Sequence, residues 1–212
     1  MRSYLVKTPR MVQNFFRNYS WRIKTTKKEV YLTFDDGPVP DFTPWVLKTL
    51  GRYKAQATFF CVGENIKKFP LIYQQIKDGG HSIGNHTFNH LQGWKTPTSK
   101  YIKNILKTES YLNNEKGQNG KKLFRPPHGR IRPMQAKILR KKGYKIIMWD
   151  VLSGDFDQSL SKKECLEHTI KHIKNGSIVV FHDSDKSFKN LDYVLPRVLK
   201  HFTNEGYKFK SL

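Results

Sequence analysis

Cysteine is almost absent from the 212-residue chain: Cys61 and Cys165 stand far apart, and no Cys-x-x-Cys occurs. That excludes a disulfide framework and a cysteine-built zinc module. Cys61 lies inside the apolar run "ATFFCVG" and reads as a buried free thiol. No stretch of about 18 apolar residues occurs, so no membrane-spanning helix is expected. The N-terminal segment is basic and partly aromatic but lacks an apolar core of signal-peptide length. The expectation is therefore a cytoplasmic protein or one attached peripherally at an anionic surface, with residues 1–28 as a leader packed on or flanking one domain over 29–212. Acidic residues are also scarce, 17 against 39 Lys and Arg, for a net charge of +22. Such a field favours anionic partners. No zinc-finger spacing, leucine-zipper heptad or RNA-binding aromatic signature accompanies it, and the lysines are spread along the chain, which argues against nucleic acid.

A hydrophobic share of 37% with 13% aromatics suits one sizeable core. Short β-branched or aromatic runs alternate with longer amphipathic stretches, the pattern of strand and helix units around a largely parallel sheet. Strands are expected at 30–34, 57–62, 82–83, 123–124, 145–149 and 178–181. Helices are expected at 43–53, with Thr43 as N-cap, and at 71–78, 98–113, 133–142, 161–174 and 191–203. The unit count fits a closed or nearly closed α/β barrel, and the local pattern fits a doubly wound sheet equally. Either architecture places ligands at the carboxyl ends of strands, where the polar clusters fall. One flexible loop is expected at 113–122, "NNEKGQNGKK".

Those clusters are chemically specific. "FDDGP" ends a strand in Asp35 and Asp36, a costly place for two carboxylates. "GNHTFNH" sets His86 and His90 four apart, so one turn of helix would put both imidazoles on one face to share a metal. Spacing alone decides little, since His168 and His172 have the same interval on an amphipathic stretch and read as solvated surface. Two histidines, one aspartate and an open position make a hydrolytic zinc site, with the second aspartate left as base. Which aspartate does which is not decided by the pattern. Arg125, before two prolines, sits on stiff backbone and can pin a carboxylate bidentately. Asp150, Asp155 and Asp157 in "WDVLSGDFD" can each orient a histidine, and His182 ends the apolar run "IVVFH".

The ordered set "TFDDG", "HTFNH", "RPPHG", "SGDF" and "FHD" resembles the polysaccharide deacetylases, the NodB-like domain of carbohydrate esterase family 4, over nearly the whole chain. The resemblance implies a distorted barrel of about seven parallel strands with helices, and removal of acetyl groups from an N-acetylated glycan. It implies a divalent metal, usually zinc, with cobalt, nickel or manganese able to take the same ligands. On this pattern Asp36, His86 and His90 are the metal ligands, Asp35 the base tethered by Arg125, and His182 the acid tuned by Asp155. A backbone amide near His128 would hold the oxyanion, and Pro127, His128, Gly129, Phe156 and Val180 would contact substrate. His128 stands where the family often has tyrosine, and Phe156 where it often has tryptophan. With that activity, the basic charge implies an anionic or amphiphilic substrate such as peptidoglycan, a lipid-linked saccharide or an acidic exopolysaccharide. A non-catalytic module for anionic polymer, or an esterase or amidase for a small non-sugar substrate, is the alternative from the same residues.

Overall fold

A computed structural model describes residues 4–112, 115–117 and 120–212. Residues 113, 114, 118 and 119 of the expected loop lie outside the described residues. Among the described residues the strands are β1 (Glu29–Asp35), β2 (Ala57–Cys61), β3 (Ser82–Asn85), β4 (Lys122–Phe124), β5 (Tyr144–Ile146), β6 (Val151–Leu152), β7 (Ile178–His182) and β8 (Lys208–Phe209). The helices are α1 (Arg10–Phe15), α2 (Phe42–Arg52), α3 (Gly63–Lys68), α4 (Pro70–Asp78), α5 (Thr98–Glu109), α6 (Pro133–Lys141), α7 (Lys162–His172) and α8 (Asp185–Asn204).

Seven strands run parallel in the order β5-β4-β3-β2-β1-β7-β6 and curl into a distorted barrel, while β8 pairs with the start of β1. The doubly wound alternative is thereby set aside. β1 lies centrally, and its near-continuous apolar sequence is what a strand buried on both faces requires. Val30, Leu32 and Phe34 face outward into a core shared with α2 and α8. Phe34 stacks on Phe59 and Phe181 with ring centroids 5.1 and 5.8 Å away. Burial of rings of this size stabilises the sheet by about 1.5–3 kcal/mol each. The alternate residues Thr33 and Asp35 point into the barrel.

The order ends at β5 and β6, so the barrel has a seam, and residues 6–20 stitch it. Ser20 donates its amide to the Ile146 carbonyl, and the Met148 amide donates to Ser20. Thr8 donates to Asp150, and Leu152 donates to Val6. This pairing explains why the single strand expected at 145–149 is instead β5 followed by a separate β6: the backbone between them bonds to the N-terminal segment. Two further expectations are corrected, and one strand is added. α2 begins at Phe42 after Asp41, because the Thr43 hydroxyl is engaged elsewhere, with Asp183 and the Val39 amide. α8 starts at Asp185, six residues before the apolar stripe that suggested it, because Ser187 and Asn190 extend its buried face with polar side chains. β8 has only two residues, too few for a periodic signal.

Candidate active site

The parallel register brings the carboxyl ends of β1, β3, β4 and β7 together: Asp35 stands opposite Phe60 and His182, and Asn85 opposite Phe124. The residues that follow these strands meet over one cavity of about 430 Å³ that includes Asp35, Asp36, His86, His90, His128 and His182 in its wall.

Asp35 is buried, and its Oδ1 accepts from Arg125 Nη1 at 2.7 Å. Arg125 is fully buried inside the barrel and donates also to Thr33 Oγ1 at 2.7 Å and to the Met148 carbonyl at 3.1 Å. Its guanidinium lies over the Phe60 ring, 4.1 Å from the centroid. A planar fork with this many fixed partners holds the carboxylate in one orientation. The Arg125 carbonyl accepts from His86 Nδ1 at 2.8 Å, so the His86 proton sits there and Nε2 presents its lone pair to the cavity. Burial pulls the His86 pKa down to about 4, against the pull of Asp35 and Asp36, and keeps the ring neutral.

His86 and His90 do not share a helix, as the four-residue spacing predicts. They meet through a loop in which Thr87 and His90 have φ of 68° and 58°. Such a conformation is rare for a β-branched residue. Side-chain bonds hold it: the Thr87 amide donates to Asn85 Oδ1 at 2.8 Å, the Leu91 amide to Thr87 Oγ1 at 3.0 Å, and the Phe88 amide to Asn104 Oδ1 at 2.8 Å. Asp36 is likewise left-handed, with φ 85°, which turns its side chain away from that of Asp35. Gly37 follows it, where a Cβ would stand 2.0 Å from an Asp183 oxygen, so only glycine fits.

His90 Nε2 lies 3.3 Å and His86 Nε2 3.9 Å from Asp36 Oδ1, and the three donor atoms all fall within 4.8 Å of one another. Ligands about 2.0–2.2 Å from a tetrahedral zinc are about 3.3–3.6 Å apart, so this donor set fits such an ion with small adjustment. Burial would raise the Asp36 pKa, but the imidazoles of His182, His86, His90 and His128 outweigh it and hold the carboxyl below its ordinary value. Among the described residues this is the one such cluster, and His168 and His172 are not part of it.

On the opposite wall, Asp155 is fully buried and grips His182 twice: Oδ1 meets Nδ1 at 2.8 Å, and Oδ2 accepts from the backbone amide at 2.7 Å. Burial by itself would lower His182, yet Asp155, with Asp36 and Asp35 nearby, raises it to about 9. Asp150 and Asp157 orient no catalytic histidine. Asp150 is taken by Lys7, Ser177 and Gln13, and Asp157 by Tyr4 and Ser159.

Of the residues expected to touch substrate, His128 and Phe156 line the cavity, while Pro127, Gly129 and Val180 do not. Pro127 is buried, and with Gly129 it forms the turn that presents His128 at φ 56°. Val180 is buried on the barrel's inner face two residues before His182, and its register partner Leu152 reaches the wall instead. Phe156 stands edge-on to His182 at 5.2 Å and is packed by Tyr4 at 5.1 Å. Tyr4, Arg130 and Lys186 also line the cavity and were not singled out from the sequence. No motif marks Tyr4 or Lys186, because the N-terminal segment and the start of α8 arrive there only through tertiary packing, whereas Arg130 directly follows "RPPHG". Asp183 was quoted within "FHD" but given no role. It accepts from the Gly37 amide at 3.1 Å and from the Thr43 hydroxyl, and burial pushes its pKa up to about 8 against those bonds. It shapes the Asp36 turn. Asn190 is equally unsignalled, and its amide holds the Asp155 and Asp157 carbonyls at 3.2 Å.

A barrel with an acidic and imidazole-rich cavity at its strand ends, holding one tethered carboxylate, one tethered imidazole and a cluster of metal donors, has the parts that metal-assisted hydrolysis requires. The sequence profile described as polysaccharide deacetylase matches residues 22–147. A peptidoglycan-N-acetylglucosamine deacetylase of Bacillus cereus is 34% identical over 194 residues, covering 91% of this chain and 90% of the relative. The peptidoglycan-N-acetylmuramic acid deacetylase PdaA of Bacillus subtilis is 32% identical over 195 residues, covering 89% and 71%. Among solved structures, the Bc1960 peptidoglycan N-acetylglucosamine deacetylase superposes with a TM-score of 0.84 at 32% identity, covering 92% of this chain and 91% of its own. The chain belongs to the polysaccharide deacetylase family and is an enzyme of that class.

Proposed function

We propose that the protein is a metal-dependent N-deacetylase of a cell-envelope glycan containing N-acetylglucosamine, of the peptidoglycan type. The observation that carries this reading is the double role of Arg125, whose side chain tethers Asp35 and whose carbonyl orients His86, so that base and ligand set are built as one unit. Asp36, His86 and His90 would hold the divalent ion, zinc by its donor chemistry. When bound, the ion supplies Lewis acidity, acidifying water and polarising the acetyl carbonyl.

The protein's own groups do the rest. Asp35 accepts the proton of the attacking water as its oxygen bonds to the acetyl carbon. The Gly129 and Arg130 amides are spent on the Pro126 and Pro127 carbonyls, which leaves the His128 amide as the candidate donor to the developing oxyanion. His182, protonated and aimed by Asp155, gives its proton to the leaving nitrogen. The carbon–nitrogen bond breaks, releasing acetate and a primary amine on the sugar. Phe156, packed by Tyr4, offers the apolar wall for the acetyl or sugar face, and Arg130 and Lys186 give the rim a positive field suited to an anionic polymer.

The test is acetate release from chitooligosaccharides and from peptidoglycan fragments by zinc-loaded and chelated protein. Release from N-acetylated glycan is expected with zinc and should vanish on chelation and return on readdition. Release confined to O-acetyl esters, or unaffected by chelation, would overturn the reading.

The His182–Asp155 pair sets a pH dependence. An acid with its pKa raised is protonated below that value, so activity is lost as pH rises through the alkaline limb. Against burial, Asp155 is the largest of the influences that raise the His182 pKa to about 9, so the loss is expected on the alkaline side of the histidine's ordinary value. Asp155→Asn removes the raising charge, so the alkaline limb of kcat/KM should shift to lower pH. An unmoved limb would show that another group supplies the proton.

A further inference from the structure

The N-terminal strap carries a surface that the catalytic cavity does not explain. Leu5, Met11, Phe15 and Phe16 are 62, 83, 82 and 42% exposed, all within twelve residues of chain. The other large apolar side chains that stand in solvent among the described residues, Leu71, Trp94, Leu106 and Met134, lie at least twelve residues apart along the chain. α1 turns one face inward, where Val12 packs beside Trp21 and Gln13 donates to the Thr8 carbonyl and to Asp150. Met11 and Phe15, one turn apart, share the opposite face. Phe15 meets Phe16 edge-on at 4.9 Å, and Phe16 stacks on Tyr19 at 5.8 Å, giving a continuous ridge. Backbone bonds on both sides, from Thr8 to Asp150 and between Ser20 and Met148, pin the strap to the barrel. The ridge is therefore fixed outward rather than free to fold into the core.

Its electrostatic setting is one-sided. Residues 1–28 hold eight Lys and Arg and no Asp or Glu, with Arg10 and Arg17 flanking the ridge. We propose that this ridge docks the enzyme peripherally on an anionic lipid bilayer, Met11 and Phe15 entering the boundary between headgroups and acyl chains while the flanking cations meet the headgroups. No described helix is long and apolar enough to cross a membrane, so the attachment is interfacial. A second copy of the chain is a poorer occupant, because a two-fold contact would bring two strongly basic segments together. A sugar polymer is poorer too, because the most exposed aliphatic members, Leu5 and Met11, offer neither a ring face to stack on a sugar nor a polar group to bond its hydroxyls. Leu5 follows Tyr4, whose ring walls the cavity, so ridge and cavity mouth belong to one strap.

The test is co-sedimentation of the full chain with vesicles of phosphatidylcholine alone and of phosphatidylcholine mixed with phosphatidylglycerol, at low and raised salt. The wild type should partition onto the mixed vesicles and weaken with salt. The double variant Met11→Ser, Phe15→Ser should bind about ten- to a hundredfold more weakly, with its unfolding midpoint and its acetate release from soluble oligosaccharide unchanged. Three results would overturn the proposal: no partition of the wild type, equal partition of the double variant, or a concentration-dependent dimer in sedimentation velocity that the double variant loses.

Discussion

Asp35→Asn should lower acetate release about 10²–10⁴-fold, the range set by loss of a general base, while one zinc ion per chain still binds. The substitution keeps an oxygen able to accept from Arg125 Nη1, now at 2.7 Å from Asp35 Oδ1, so the side chain stays in place. Only its capacity to take a proton is lost. The donors proposed for the ion are untouched, since Asp36 turns the other way at φ 85°. Acetate release measured beside zinc stoichiometry checks both halves. Substantial activity in a zinc-replete Asp35→Asn protein would move the base to another group, and loss of zinc together with activity would place Asp35 among the ligands.

Arg125→Met should destabilise the fold by about 3–5 kcal/mol, the cost of removing one member of a buried ion pair. Arg125 has no exposed surface, so water has no ready path to the place of the missing cation behind Asp35, whose other side faces the cavity. The Asp35 carboxylate would be left buried against Phe60 and Thr33. A methionine roughly fills the stem volume, so the cost is charge rather than cavity. Denaturant unfolding measures it, and Asp35→Asn in the same background should restore part of the loss, because the pair couples. Additive losses in the double-mutant cycle would mean that the two side chains stabilise the barrel independently.

Both predictions rest on a part of the protein that its sequence already displays. Five short motifs, each following an apolar run, were enough to gather the candidate carboxylates, imidazoles and arginine at one rim, because parallel strands of one sheet must deliver their carboxyl ends there; the separate roles of ligand, base and acid are what the family resemblance implies. The repeated strand and helix pattern carried the α/β class for the same reason. What it left open was closure. Nothing in the 3- or 2-residue periods says that β5 and β6 stay unpaired, or that residues 6–20 sew that seam.

The histidine pair shows the boundary most clearly. His86 and His90 were legible as partners from their spacing, but the helical turn expected between them is absent. The loop that joins them depends on Asn85 and Asn104, one on the preceding strand and one on α5. Such a backbone is strained for Thr87, and a strained conformation is held by distant partners, not by local propensity. Tyr4 and Lys186 illustrate the same limit, reaching the cavity from two separate segments without a motif.

By itself, then, the order of residues determined which side chains carry charge, donate lone pairs and end strands, and with them the family and the chemistry within its reach. Tertiary structure alone decided that the carbonyl of the buried Arg125 would orient His86 while its side chain holds Asp35, that Asp150 and Asp157 would be taken by other partners, and that the basic N-terminal segment would become a wall of the cavity and an outward ridge. The physical reason is range: identity and periodicity act over a few residues, whereas burial and the partner each buried group must find are set by whichever distant segment packs there.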